Sequence, residues 1–191
     1  MSDNQLESFP YYALHRMKDV LKKVDLSRNR IGTLLDDQET ENVRYTCARE
    51  EKRNITKNPF QIFRQLQNID LSANGMTQFP TELNALTALK ELNLMNNDIS
   101  VVPQSFFGSH VRNTLRSLVL NQNPLRELDP SVEQLQKLRV LGIAQTEITK
   151  LPQQITKLRK LKEIYVNDTP LKQPKLALAQ RGIEAIKEFF H

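Results

Sequence analysis

The chain has 191 residues, 39% of them hydrophobic and 26% charged, and 27 lysines and arginines against 22 aspartates and glutamates give a formal net charge of +5. That length and composition suit one domain with a real core rather than a disordered tail, and the small positive excess permits acidic partners without implying nucleic acid. No apolar run approaches the roughly 18 residues needed to cross a bilayer, and the one cysteine, Cys47, excludes an internal disulfide.

In chain order, the first ten residues, MSDNQLESFP, lack the basic start and apolar stretch of a secretory signal, which points to a reducing, cytoplasmic setting. Within them Met1, Asn4, Leu6, Phe9 and Pro10 fit the second half of a pattern that the rest of the chain repeats. On that reading the chain enters mid-repeat and presents an edge that is either frayed or covered by a partner. The first full copy follows as Leu21, Val24, Leu26, Asn29, Ile31 and Leu34. From about 36 to 58 the chain turns polar, as a degenerate repeat or a looped-out, partly helical insertion. The absence of paired leucines favours the insertion, because so few apolar groups do not offset the entropy of ordering a packed strand.

The pattern resumes with Leu66, Ile69, Leu71, Asn74, Met76, Phe79 and Pro80, and again with Leu89, Leu92, Leu94, Asn97, Ile99, Val102 and Pro103. Leu115, Leu118, Leu120, Asn123, Leu125 and Leu128 follow, then Leu138, Leu141, Ile143, Thr146, Ile148, Leu151 and Pro152, and finally Leu161, Ile164, Val166, Thr169 and Leu171. Copies that start at 66, 89, 115, 138 and 161 return every 23 residues, with three extra near Phe107 to Thr114 that read as a longer outer loop. In each copy two apolar residues alternate with polar ones, as in a half-buried strand. Pairs such as Leu83 and Leu86, Val132 and Leu135, or Ile155 and Leu158 mark a helical or 3₁₀ return. No single copy buries that surface alone, so neighbours must stack into a solenoid. The asparagines at the ninth position bond backbone groups where the strand turns, and Thr146 and Thr169 do so less completely.

At these positions the chain resembles the intracellular leucine-rich repeat family, in particular its 23-residue Leu-Pro type found in Ras-pathway scaffolds. The expected fold is α/β: a leucine-rich repeat solenoid with a curved parallel sheet on the concave face and helical or 3₁₀ turns on the convex face. Residues 1–174 form the repeats and 175–191 a capping helix, on which Leu176, Ala179, Ile183, Ile186 and Phe190 share a face and Gly182 marks a break. A partner-binding amphipathic helix is the alternative reading of that segment.

Chemistry is sparse. His15, His110 and His191 have no metal-ligand spacing and no nucleophile motif beside them, so neither metal nor cofactor is expected and the chain reads as no enzyme. Cys47, among Arg44, Arg49 and Arg53, reads as inert, and the basic stretch Lys157, Arg159, Lys160 and Lys162 as a solvated face rather than a phosphate or acidic-protein site. No aromatic stacking platform accompanies it, so no nucleic acid is expected.

What a solenoid offers is its concave face. The central strand position passes from Asp25 and Asp70 through Asn93 to Val119, Gly142 and Tyr165, from acidic to apolar. Asp70, Glu91, Asn93, Met95, Val119, Val140 and Tyr165 are the candidate partner-binding residues. Isolated apolar surface residues are also ordinary, and that reading stands beside it. The expected function is a non-catalytic protein-protein interaction module, an adaptor or regulatory scaffold. The family resemblance implies small-GTPase or phosphatase signalling as its setting. A structural subunit of a cytoskeletal, ciliary or ribonucleoprotein assembly is the alternative.

Overall fold

The computed structural model describes residues 3–34 and 58–191. Cys47 and nearly all of the polar insertion lie outside the described residues. Among those described, six three-residue strands, β1 (Lys23–Asp25), β2 (Asn68–Asp70), β3 (Glu91–Asn93), β4 (Ser117–Val119), β5 (Val140–Gly142) and β6 (Glu163–Tyr165), form one parallel sheet in sequence order. Register is unbroken, with Val24 opposite Ile69, then Leu92, Leu118, Leu141 and Ile164. These central residues point into the core while their neighbours face out, the period-2 alternation of a strand with one wet face. β1 and β2 are direct neighbours although their copies start 45 residues apart, so the sheet leaves no place between them for a further strand.

The convex side is built from short 3₁₀ turns, Pro59–Ile62, Thr81–Ala85, His110–Asn113, Pro130–Gln134 and Gln153–Lys157, with helical turns at Tyr11–His15 and Gln104–Gly108. Proline opens two of the 3₁₀ turns, and Pro80, Pro103 and Pro152 stand immediately before other convex segments, where a fixed φ and a missing N–H cost nothing. Asp129 and Asn58 add side-chain caps, accepting from the amides of Ser131 at 2.7 Å and Phe60 at 3.0 Å. Leu83, Leu86, Val132, Leu135, Ile155 and Leu158 are fully buried against the strand leucines. Each such side chain contributes on the order of 2 kcal/mol by leaving water.

The three extra residues near Phe107 do not form a loop. They extend the convex side into the helix Gln104–Gly108 followed by the turn His110–Asn113, and Phe106, Phe107 and Val111 are all fully buried. Phe106 packs against Phe79 with ring centroids 4.6 Å apart and planes tilted by 56°. Ser109 is extended between the two elements, so Phe107 on the helix and Val111 on the turn are turned inward separately, and the insertion packs instead of looping out. A second aromatic cluster joins the two described segments, Phe9 lying 4.7 Å from Phe60 and 5.9 Å from Phe63.

Asparagine at the ninth position forms a buried ladder. Asn97 donates to the carbonyls of Leu71 and Leu94 at 3.0 and 2.9 Å and accepts from the amides of Asn74 and Met76 at 3.1 and 3.0 Å, so one side chain ties neighbouring coils together. Thr146 and Thr169 each donate one bond, to Ile143 and Val166 of their own coil. The residue before each of these positions, Arg28, Ala73, Asn96, Gln122, Gln145 or Asp168, has φ between 54° and 56°. Asp3, just before Asn4, does the same at 58°, and the Leu6 amide donates to Asn29 Oδ1 at 3.1 Å, so the first described residues follow the repeat geometry. After the last repeat come helices Leu176–Ala179 and Ile183–Phe190, separated at Gly182, whose φ of 101° suits glycine. Ala179, Ile183 and Ile186 are buried, and the second helix packs beside Gln153–Lys157.

Candidate functional site

The wet face of the sheet places the candidate residues in three columns. Asn68, Glu91, Ser117, Val140 and Glu163 form one, Asp25, Asp70, Asn93, Val119, Gly142 and Tyr165 the next, and Ser72 and Met95 lie beyond the strand ends. A hollow of about 360 Å³ spans β1 to β4 and brings together Asp70, Glu91, Asn93 and Val119 with Lys23, Asp25 and Asn68. Met95 lines a separate hollow beside Ser27, Ser72 and Gln122, while Val140 and Tyr165 lie on β5 and β6 outside both.

The acidic end is held in place by its own sequence. Asp25 Oδ1 accepts from the Ser27 hydroxyl at 2.7 Å and its amide at 3.0 Å, and Asp70 repeats this with Ser72 at 2.6 and 2.9 Å. An aspartate two residues before a serine makes such local turns readily. The Ser27 hydroxyl, then its amide, hold the Asp25 carboxyl below the usual carboxylate range. Asp70 Oδ2 also accepts from Asn93 Nδ2 at 2.8 Å, and Asn68 donates to Glu91. These bonds come from neutral donors and hold the carboxylates in position.

The opposite end is open and sets Val140 and Tyr165 beside one exposed carboxylate, Glu163. Tyr165 is 46% exposed, and its hydroxyl donates to Glu163 Oε2 at 2.7 Å, which together with that carboxylate's charge raises its pKa. Val140 on β5 and Val119 on β4 are half-buried, Gly142 stands between Val119 and Tyr165 in the column, and Asn121 lies across Gly142. No group of three or more His, Cys, Asp or Glu residues that could hold a metal occurs among the described residues, and none of their helices is long and apolar enough to cross a membrane.

A leucine-rich repeat family model matches residues 113–171. The structure superposes on a leucine-rich repeat protein of Leptospira interrogans with a TM-score of 0.70 and 25% identity, covering 97% of this chain and 39% of that one. The chain is a leucine-rich repeat solenoid. Among curated proteins, plant intracellular Ras-group-related LRR protein 8 of Oryza sativa subsp. japonica is 35% identical over 100 residues, 52% of this chain and 26% of its own length. A probable serine/threonine-protein kinase, pats1, of Dictyostelium discoideum is 26% identical over 164 residues, 77% of this chain and 5% of its own length. The chain therefore spans about a quarter or less of these relatives.

Two features of this leucine-rich repeat surface escaped the linear reading. The Asp-Leu-Ser triplets at 25–27 and 70–72 are the signal for the tethered carboxylates, visible as identical tripeptides in successive copies. Lys90, Arg116, Lys137, Arg139 and Lys160 meet around a hollow at the sheet's entry edge, and only reading down the columns at the repeat period finds them.

Proposed function

We propose that this leucine-rich repeat chain is a protein-protein interaction module that receives a polypeptide partner on its concave face and acts by binding rather than by catalysis. Repeat solenoids present extended concave surfaces suited to this role. One observation carries the reading: the central column changes from tethered carboxylates at Asp25 and Asp70 to Val119 and an exposed Tyr165 over six strands. An exposed aromatic beside aliphatic neighbours is a binding anchor, and fixed carboxylates select a basic segment at the other end. Asp70, Glu91, Asn93, Met95, Val119, Val140 and Tyr165 are the residues assigned to this face. The likeness to a plant intracellular Ras-group-related protein supports an adaptor or scaffold in intracellular small-GTPase signalling.

Affinity capture with quantitative mass spectrometry identifies the partner. Tyr165→Ala combined with Val119→Asp then abolishes its capture while leaving the melting temperature nearly unchanged. Full retention of the partner by that variant refutes the concave-face reading.

A further inference from the structure

At the edge where the chain enters the sheet, the residues before β3, β4 and β5 are Lys90, Arg116 and Arg139. Their backbones bond in register, Arg116 N to Lys90 O at 2.7 Å and Arg139 N to Arg116 O at 2.8 Å, which sets these positions at strand spacing, roughly 4.8 Å from one backbone to the next. Lys137 and Lys160, one repeat apart, stand behind them, and together these five cations line a hollow of about 220 Å³ with Asn113 and Thr114. No carboxylate lines it. Among the described residues the ion pairs are Arg126 with Glu147, Lys157 with Glu133 and Lys187 with Glu184, so Arg116, Lys137, Arg139 and Lys160 have no anionic partner. The Thr114 hydroxyl is likewise without a hydrogen-bonding partner. The crowding registers on Lys160, whose ammonium is held below the ordinary lysine range chiefly by Lys137, then by partial loss of water, with Arg139 and Arg116 adding to it.

We propose that this hollow binds a phosphate monoester carried on the polypeptide that occupies the concave face. The source of the phosphate rests on the function proposed above; the chemistry of the hollow does not. Two guanidinium forks and three ammonium groups around one small volume repel one another until an anion enters. A single carboxylate brings one charge and two oxygens, whereas a phosphate monoester brings nearly two charges and three terminal oxygens, which bidentate arginine contacts match. Arg116 and Arg139 immediately precede Ser117 and Val140 on the concave face, so a chain lying across β4 and β5 passes the mouth of the hollow.

The test is fluorescence anisotropy of the full chain with a labelled Gly-Ser peptide bearing one phosphoserine, its unphosphorylated twin, and phosphatidylcholine vesicles doped with a phosphoinositide. The phosphopeptide binds saturably, inorganic phosphate displaces it, and affinity falls by about tenfold or more in Arg116→Gln/Arg139→Gln and separately in Lys137→Gln/Lys160→Gln. The unphosphorylated twin stays unbound. Equal binding of both peptides, or unchanged binding by both folded variants, overturns the proposal. Binding of the vesicles without the phosphopeptide overturns the polypeptide source. Because the Gly-Ser peptide carries no anchor for Val119 or Tyr165, its failure leaves the concave-face reading to be decided by partner capture alone.

Discussion

The side-chain oxygen of Asn121 lies 2.7 Å from where a Cβ on Gly142 would stand, and the same oxygen accepts the Ala144 amide at 2.9 Å. Gly142→Ala therefore swings Asn121 away and breaks that bond. The expected loss is about 1 to 2 kcal/mol in urea unfolding. Asn121→Ala in the same chain relieves the clash, so the double variant loses less than the sum of the two single changes. Strict additivity would show that the two residues do not meet.

The asparagine ladder is predicted to be graded along the solenoid. Asn97→Ala removes four buried bonds and leaves the Asn74 and Met76 amides of the preceding coil unpaired, while the Leu71 and Leu94 carbonyls keep Asn74 and Asn123 as donors, for an expected loss of about 3 kcal/mol. Thr146→Ala removes one bond within its own coil and should cost about 1 kcal/mol. Equal losses from the two changes in chemical denaturation would contradict the ladder's asymmetry.

Phe107→Ala is expected to cost about 3 to 5 kcal/mol, since the ring is fully buried on the convex side beside Phe106. A melting temperature equal to that of the unaltered protein would place the side chain in a surface loop after all.

For Asp25 the folded-state pKa lies below its ordinary value of 3.8, so the stabilisation from its Ser27 bonds is complete above that value and is lost as pH falls through the folded pKa. Ser27→Ala removes the hydroxyl bond, the larger cause, and moves the Asp25 titration upward. Carboxyl-carbon NMR of both proteins checks this; coincident titration curves would show that the hydroxyl has no hold on the charge.

The repeats were legible in the sequence because core positions admit few residue types: Leu92, Leu118 and Leu141 recur at their register, and asparagine recurs where buried carbonyls need a donor. The helix at Gln104–Gly108 was not, because three added residues read along the chain look like surface, and only their neighbours' burial shows that Phe107 and Val111 turn inward. The candidate concave residues were legible from strand alternation alone. Their division into an acidic hollow that includes Val119 and an apolar end at Val140 and Tyr165 depends on side-chain bonds that no linear spacing states. The cationic hollow was hidden for a related reason: Arg116, Lys137 and Lys160 are far apart in sequence and meet only because the coils stack.

The change from asparagine to threonine along the ladder also gives the molecule a mechanical direction. Under a pull along its axis, the coils up to Asn123 resist through buried side chains that reach across to a neighbouring coil, whereas Thr146 and Thr169 bond only within their own coils and leave the load to the sheet, to packing and to more exposed bonds such as Gln145 to Asp168. The half with fewer buried ties between coils is the one that carries Tyr165, so a stretched molecule is expected to part its coils there first.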